Sequence, residues 1–258
     1  MHLGVMATID DADIMSELDV EFLELLVREQ DTTADIIRSL ESIGMDAILH
    51  APEMIRFQGG THLLDLASVD LDFRRACQNR IREVSRIAEE SGIPLVVHPG
   101  GVLPESFVDC QLLLSGLLQS LEILEGTVWI ENMPRIYHMD EMLLSCNLLV
   151  DPEEASRILE FVDGLVLDVS HAYLSVEEDG NAAIARFFNR LGRSVSHVHL
   201  SDARWPDVEG VQIGEGEIDF SFVPSLERIP ILLEIWGGHE NQGEGFRKAI
   251  ERIRDGYL

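Results

Sequence analysis

Histidine, aspartate and glutamate residues stand directly after short apolar runs in several parts of the sequence. Buried parallel strands are typically apolar runs, and in α/β barrels the reactive side chains lie where the strands end. Imidazole and carboxylate groups both bind metals, so the pattern predicts a ring of ligands around one point. The runs are Ala47–His50, Leu95–His98, Val128–Glu131, Leu165–Asp168 and Ile231–Glu234, with Ser196–His199 as a more polar sixth.

The endings of the last four predicted strands form the stronger set. Glu131, Asp168, His199 and Glu234 follow strands five to eight. Carboxylates with one imidazole suit a divalent cation such as Mn, Co, Zn or Mg. A single carboxylate after an apolar run is more commonly a helix N-cap or a partner in a loop ion pair. On four successive strands, the same pattern predicts a metal site.

His50 and His98 extend the ring to strands three and four. Two imidazoles beside a shared Glu131 would suit a second, softer metal, zinc above all. The alternative is that the two histidines contact substrate oxygens. We therefore expect one or two divalent ions in this region.

Other polar and aromatic residues near these strand ends have predicted supporting roles. His197 lies two residues before His199, on the same face of the strand, and is expected to be packed deeper in the barrel. Asp202 could orient His199 through its free ring nitrogen. Trp236, like Trp205, could stack on a sugar, or line the mouth as an apolar wall.

Strands and helices alternate along the chain and would position these residues. The predicted strands are Leu3–Ile9, Glu21–Val27, Ala47–His50, Pro94–His98, Thr127–Glu131, Gly164–Asp168, Ser196–Leu200 and Ile229–Ile235. A short polar link follows the first strand. The predicted helices are Thr32–Ser42, Asp72–Glu90, Asp109–Glu125, one beginning at Asp151, Asn181–Leu191, a weak one at Phe220–Leu226, and Gly245–Arg254.

This alternation predicts an α/β fold, a single (β/α)8 TIM barrel, because a closed barrel brings every strand end to one mouth. An open doubly wound sheet is the alternative, but it unites ligands from only two or three neighbouring strands. The 258 residues match the length of one barrel, about 250 residues, so we expect one domain over 1–258. Arg56–Thr61 and His98–Pro104 are expected to be loops at the mouth.

The chain is strongly acidic, with 19 Lys and Arg against 47 Asp and Glu and a net charge of −28. Its surface repels polyanions, which disfavours nucleic acid as a partner. We interpret the acidity mainly as adaptation to a salty cytoplasm.

The sequence carries no signal for a membrane location. No apolar run approaches the roughly 20 residues that span a bilayer, and the N-terminus lacks the basic start of a signal peptide. Three cysteines without C-x-x-C spacing suit a reduced cytoplasm. The expected partner is a small-molecule substrate, and a homo-oligomer is left open.

Five short segments after the later strands carry a family resemblance. They are Ile130-Glu131-Asn132, Leu167–Ala172, His197–Asp202, Ile213–Gly216 and Leu233-Glu234. Together they resemble the xylose-isomerase-like TIM-barrel superfamily, which includes sugar (phosphate) isomerases and epimerases and the endonuclease IV relatives. The resemblance covers nearly the whole chain.

The isomerase branch of that superfamily implies that a metal holds adjacent substrate oxygens. Glu131 and Glu234 would then act both as ligands and as the catalytic acid/base pair that moves a carbon-bound proton. The resemblance also implies that His171 and Glu24 orient the substrate. Ser201 stands where this branch usually has a lysine, which leaves the exact reaction open.

The endonuclease IV branch is represented by His50 and His98, which resemble its additional zinc ligands, and by His171, which resembles a ligand of its third zinc. That third site also needs an Asp-x-His motif, but residues 206–212 contain no histidine. We therefore predict a metal-dependent isomerase or epimerase of a small polyol or ketose. The alternatives are an endonuclease IV-like phosphodiesterase, acting on abasic DNA or a smaller phosphoester, and a sugar-binding barrel without catalysis, which the intact carboxylates disfavour.

Overall fold

The computed structural model describes residues 1–104, 109–139, 142–226 and 228–255. Its strands, in chain order, are β1 (Leu3–Thr8), β2 (Phe22–Leu26), β3 (Asp46–His50), β4 (Met54–Phe57), β5 (Gly60–Leu63), β6 (Leu95–Val97), β7 (Val102–Leu103), β8 (Val128–Glu131), β9 (Ile136–Met139), β10 (Met142–Cys146), β11 (Gly164–Asp168), β12 (Val195–Leu200), β13 (Asp202–Arg204), β14 (Val208–Val211) and β15 (Ile231–Leu233).

Eight of these strands close into a parallel barrel in the order β1, β2, β3, β6, β8, β11, β12 and β15. The ring is completed by β15, which pairs in parallel with β1 through Leu3 and Ile231. The prediction of a closed barrel with eight strands is therefore confirmed, and the open doubly wound sheet is excluded.

The helices lie mainly between the barrel strands. They are α1 (Ala12–Met15), α2 (Thr33–Ser42), α3 (Leu71–Ser91), α4 (Cys110–Leu121), α5 (Pro152–Ile158), α6 (Val169–Leu174), α7 (Gly180–Leu191) and α8 (Glu240–Arg254), with a 3-10 helix at Phe220–Leu226. Local signals explain several of their ends. A reciprocal capping box between Thr32 and Asp35 starts α2, Asp70 caps α3, and left-handed Gly92 ends it.

Two layers of apolar side chains hold the barrel together. Inside the strands, Phe22, Ile48, Val96, Val166 and Leu232 form a compact cluster. Outside them, a larger continuous core packs the helices against the sheet. Because burial of apolar surface is the main favourable contribution to folding, this double core keeps the strand ends in place as a rigid platform.

The structure differs from the sequence prediction mainly in the segments after the strands. Arg56–Thr61 is not a loop, since it lies in the antiparallel hairpin β4–β5. Strands β7, β10 and β9 form a small sheet, and β13 pairs with β14. The last helix starts at Glu240, but left-handed residues 241–243 interrupt it, so its regular part begins close to the predicted Gly245.

No helix among the described residues is long and apolar enough to cross a membrane.

Candidate metal centre

The six predicted ligand residues all stand at the carboxyl-terminal mouth of the barrel. The last residues of β3, β8 and β11 are His50, Glu131 and Asp168. His98 and Glu234 directly follow β6 and β15, and His199 is the penultimate residue of β12. Their ligand atoms form two groups, within each of which all atoms lie within 4.8 Å of one another. The groups are His50, His98 and Glu131, and Glu131, Asp168, His199 and Glu234.

The register of β11 against β12 and hydrogen bonds to its backbone hold Asp168 at the mouth of the barrel. In the β11–β12 pairing, Asp168 lies directly beside His199. The Asn132 side chain accepts from the Asp168 N–H at 2.8 Å and donates to its carbonyl at 3.0 Å. The Oδ1 atom of Asp168 also caps α6, accepting from the His171 N–H at 2.5 Å and the Ser170 hydroxyl at 2.8 Å. Asp168 is thus a helix cap as well as a candidate ligand.

The Glu131 carboxylate is the hub of the centre. Its Oε2 atom lies 3.5 Å from His50 Nε2, 3.2 Å from His98 Nε2 and 3.5 Å from His199 Nδ1, and its Oε1 atom lies 3.2 Å from His171 Nδ1. Burial opposes ionisation and is the largest single influence on Glu131. The surrounding imidazoles outweigh it and hold the pKa of this carboxyl well below its usual range.

Two neighbouring groups have raised pKa values. Burial, helped by repulsion from Glu234 and Glu131, raises the pKa of Asp168 to about 6. For His50, burial acts in the opposite direction, but the hydrogen bond and charge of Glu131 and the charge of Glu24 raise its pKa to about 9. The Nδ1 atom of His50 lies 2.8 Å from the Ala51 carbonyl, so an N–H there leaves Nε2 facing Glu131.

The donor set fits a divalent cation. Both ring nitrogens of His199 are buried without a hydrogen-bond partner in the part of the chain that the structure describes. The Nδ1 atom lies 3.1 Å from Glu234 Oε2, on the side where Glu131 and Asp168 also converge. A dication between these side chains would satisfy the imidazole lone pair and offset the mutual repulsion of three carboxylates.

The family resemblance implies that Glu24 orients the substrate, but its side chain lies deeper in the barrel than the candidate metal centre. It has no exposed surface and stands beneath His199, with Oε1 3.1 Å from His199 Nε2 and Oε2 2.8 Å from His197 Nε2. Glu24 is not among the described residues that line the two cavities beside the centre. His197 is fully buried, as expected for a packed residue.

Asp202 does not orient His199. Its carboxylate accepts backbone N–H groups at 2.8–3.0 Å, and it thereby holds the glycine-containing loop after β14 against the barrel. The donors are Ala203, Gly214, Gly216 and Ile218. Each oxygen of the Asp202 carboxylate therefore accepts two backbone N–H groups, and its described hydrogen bonds do not include the His199 ring.

His171 lies beside the centre, next to a carboxylate that sequence reasoning missed. Its Nε2 atom is 3.1 Å from Glu209 Oε2, and Glu209 lies on β14. Burial lowers the pKa of His171, but the charges of Asp168 and Glu209 and the contacts with Glu131 and Glu209 outweigh it and hold that pKa well above its usual value. Residues 206–212 contain no histidine of the kind that a third zinc site would need, and instead they place the Glu209 carboxylate beside His171.

Tyr137 on β9 is a second missed residue. It is almost fully buried and lines a small cavity beside His98. Burial, with repulsion from Glu53, Glu209 and other nearby carboxylates, raises the pKa of Tyr137 well above its usual value. Its hydroxyl therefore stays protonated and can donate a hydrogen bond into a site otherwise rich in acceptors.

Trp236 borders a cavity next to the carboxylate of Glu234. The cavity has a volume of about 260 Å³, and Glu53, Thr8 and Leu26 contribute to its wall. Trp236 is 60 % exposed, so its ring presents an open apolar face. The predicted substrate-contacting tryptophan thus lies at the cavity nearest Glu234.

Fold and site together define an α/β barrel with a carboxylate–imidazole centre at its mouth. The chain belongs to the family of xylose isomerase-like TIM barrels, which matches residues 12–256. It is also 28% identical, over 179 residues, to an uncharacterised protein of Methanocaldococcus jannaschii. That match covers 64% of this chain and 56% of the relative, so the chain matches little more than half of the relative's length.

Solved structures with similar folds include several sugar epimerases. A D-tagatose 3-epimerase-like protein superposes with a TM-score of 0.68 at 20% identity, covering 100% of both chains. D-allulose 3-epimerase from Methylomonas sp. gives 0.71 at 16% identity, covering 99% of this chain and 97% of that one. The 3-keto-D-glucoside 4-epimerase of E. coli gives 0.70 at 16% identity, covering 99% of both. At these identities the likeness establishes the fold.

Proposed function

We propose that the protein is a metal-dependent epimerase or isomerase that moves a carbon-bound proton on a small, unphosphorylated polyol or ketose. The observation that carries the proposal is the convergence of Glu131, Asp168, His199 and Glu234 within 4.8 Å. A divalent cation held by these side chains, Mn²⁺, Co²⁺, Zn²⁺ or Mg²⁺, would bind adjacent substrate oxygens and acidify a C–H bond next to the substrate carbonyl.

The two glutamates have environments suited to an acid/base pair. Glu131 is buried at the centre, and its pKa is held below the usual range, so it is present as the carboxylate, the form that can accept a proton. The side chain of Glu234 is 29% exposed and borders the cavity, where it can exchange a proton with a bound substrate. Proton transfer by a positioned carboxyl group typically contributes about 10²- to 10⁴-fold in rate.

The cavity supports a small substrate. A volume of about 260 Å³ is close to the lower end of ligand pockets, which begin at about 300 Å³. The open face of Trp236 can pack on the C–H face of a sugar, and Glu53 and Glu234 can accept hydrogen bonds from its hydroxyls.

The distribution of cations argues against a phosphorylated substrate. Neither cavity beside the centre has an arginine or lysine among its described lining residues. Four arginines in the segments that follow the barrel strands are already bound: Arg28 to Asp10 and Asp31, Arg56 to Glu29, Arg135 to Glu177, and Arg204 to the Glu215 carbonyl. The described residues that line these cavities therefore offer no guanidinium or ammonium group for a phosphate.

The folds of the similar structures support the proposal, since three of them are named as epimerases or epimerase-like. A metal-dependent phosphodiesterase is the second candidate, and one observation favours it. The His50–His98–Glu131 group could hold a further ion beside the first, and paired metals are common in phosphoester hydrolysis.

The experiment incubates metal-loaded protein in D₂O with a panel of ketoses and polyols, and separately with abasic duplex. Deuterium incorporation and new epimers are followed by NMR, and strand cleavage by gel. We expect deuterium exchange in the sugar, and a loss of roughly 10²- to 10⁴-fold in Glu234→Gln. The matched control is Glu154→Gln, which removes a carboxylate whose partner is the Leu149 N–H.

Cleavage of the abasic duplex that disappears in Glu234→Gln would replace the epimerase by the phosphodiesterase. Exchange that persists unchanged in Glu234→Gln would remove this glutamate from the proton-transfer pair.

A further inference from the structure

Below the candidate metal centre lies a second set of ionisable side chains, which the proposed chemistry does not use. Glu24, His197 and the Nε2 side of His199 are all fully buried, inside the barrel and away from the cavities at the mouth. Burying a carboxylate costs several kcal/mol unless it is paired and hydrogen-bonded. The described contacts of Glu24 are to the two imidazoles, so its place in the core needs an explanation.

The geometry gives each carboxylate oxygen of Glu24 one imidazole. Oε2 lies 2.8 Å from His197 Nε2, and Oε1 lies 3.1 Å from His199 Nε2. The first contact is an aligned hydrogen bond. The second is a close contact between two atoms for which no other described hydrogen bond is present. The carboxylate therefore bridges two rings, and only one of them reaches the centre.

His197 is fixed in place from several sides. Its Nδ1 atom lies 3.0 Å from the Pro230 carbonyl. Phe22 and Trp129 pack on the ring, each with a centroid separation of 5.7 Å. A ring held in this way also fixes the carboxylate that is bonded to it.

We propose that Glu24, held by His197, is a positioning residue that orients His199 as a metal ligand through its Nδ1 atom. The Nδ1 atom faces Glu234 and Glu131, so the opposite nitrogen is free to donate its N–H to Glu24. Metal-bound histidines characteristically donate their other N–H to a carboxylate or carbonyl, which fixes the tautomer and makes the ligand nitrogen more basic. Glu24 thus acts on the metal through His199 and touches neither metal nor substrate.

This inference rests on the proposed metal site but not on the proposed reaction. The probe is Co²⁺, whose affinity is measured by chelator competition and whose ligand geometry is read from its visible d–d bands. The variant Glu24→Gln keeps the shape and removes the charge, while Glu24→Asp keeps the charge and shortens the reach. The matched control Glu154→Gln makes the same change at a carboxylate on α5.

In Glu24→Gln we expect Co²⁺ to bind roughly 10- to 100-fold more weakly, with altered d–d bands, because partners of metal ligands typically contribute this much. Glu24→Asp should recover part of the affinity, and Glu154→Gln should match the wild type. A merely structural role would lower the thermal unfolding midpoint and leave both the affinity and the bands unchanged.

Each other outcome has a defined meaning. Unchanged Co²⁺ affinity and bands in folded Glu24→Gln overturn the inference and leave the proposed function intact. If only Glu24→Asp folds, its shorter reach should still weaken Co²⁺ binding, and unchanged affinity and bands there have the same meaning. Loss of one whole equivalent of Co²⁺ with the remaining bands unchanged overturns it as well, because Glu24 would then be a ligand itself. A wild-type protein that binds no Co²⁺ overturns the metal centre and this inference together.

Discussion

Glu131 is the residue at which protons and a bound metal ion would compete most directly. Four imidazoles lie within 3.5 Å of its carboxylate. Without a metal, the negative charges of the site favour protonated rings, and the pKa values of His171 and His199 are well above the usual value although burial lowers them. A metal needs the same nitrogens deprotonated, so it must displace those protons.

The pH dependence of metal binding follows from the sign of these shifts. His50 has a raised pKa of about 9, so its protonated form persists at neutral pH and is lost only as the pH rises through that value. Zn²⁺ affinity should therefore increase from pH 6 to 8, by about tenfold per pH unit for each displaced proton. Chelator competition at several pH values checks the affinity, and calorimetry in two buffers counts the protons released. An affinity that is constant from pH 6 to 8 would contradict these protonation states.

At the scale of elements, the barrel and the convergence of the six polar residues at its mouth could be predicted, because both depend on the same simple pattern. Strands such as Gly164–Asp168 are buried on both faces, so they are apolar almost throughout, and their polar last residue is conspicuous. The prediction that these residues converge does not require the register between strands, because the carboxyl ends of all the parallel strands meet at one mouth.

The hairpins at the mouth could not be predicted in this way. The β14 sequence Val208-Glu209-Gly210-Val211 and the β9 residues Ile136–Met139 are too short and too mixed for a periodic signal. These elements supply Glu209 and Tyr137, which the sequence analysis missed. The sequence places Glu24 in the second strand, but the depth of its side chain below the mouth depends on three-dimensional packing.

The turn after β6 shows how the backbone fixes a candidate ligand. Gly100 has a φ of +78°, and a Cβ there would lie 2.2 Å from Asp65 Oδ1. That oxygen also accepts the Gly101 N–H at 2.8 Å, so the turn that follows His98 is held against Asp65. A side chain at Gly100 would meet both an unfavourable backbone conformation and a close atom.

We expect Gly100→Ala to lower the free energy of unfolding by about 3 kcal/mol, from left-handed strain plus overpacking. Gly59→Ala is the matched control, because Gly59 also has a positive φ, +84°, but a Cβ added there would meet no atom within 4 Å. The control should cost only about 1 kcal/mol. Urea unfolding measures both. Equal losses would show that the contact with Asp65 contributes nothing.

At the scale of the whole molecule, charge is the dominant feature. The net charge of −28 arises from 47 acidic against 19 basic residues, so acidic residues outnumber basic ones by more than two to one. Self-repulsion of this kind opposes the compact state, and it is screened over about 10 Å at 0.1 M salt and about 3 Å at 1 M. The surface ion pairs, such as Arg38–Asp35 and Arg86–Glu125, are weakened by the same screening, but each contributes only about 0–1 kcal/mol.

Because repulsive pairs outnumber attractive ones, added salt should stabilise the fold. We expect the thermal unfolding midpoint to rise between 0.1 and 1 M KCl, with most of the rise at the lower concentrations, where the screening length changes most. The control is the triple variant Glu90→Gln, Glu122→Gln and Glu160→Gln, which takes the net charge from −28 to −25 at exposed positions. Its midpoint at low salt should be higher and its gain from KCl smaller, since fewer charges remain to be screened. A midpoint that falls with KCl would mean that the attractive ion pairs outweigh the repulsion, and that the acidic surface carries no stability cost for salt to relieve.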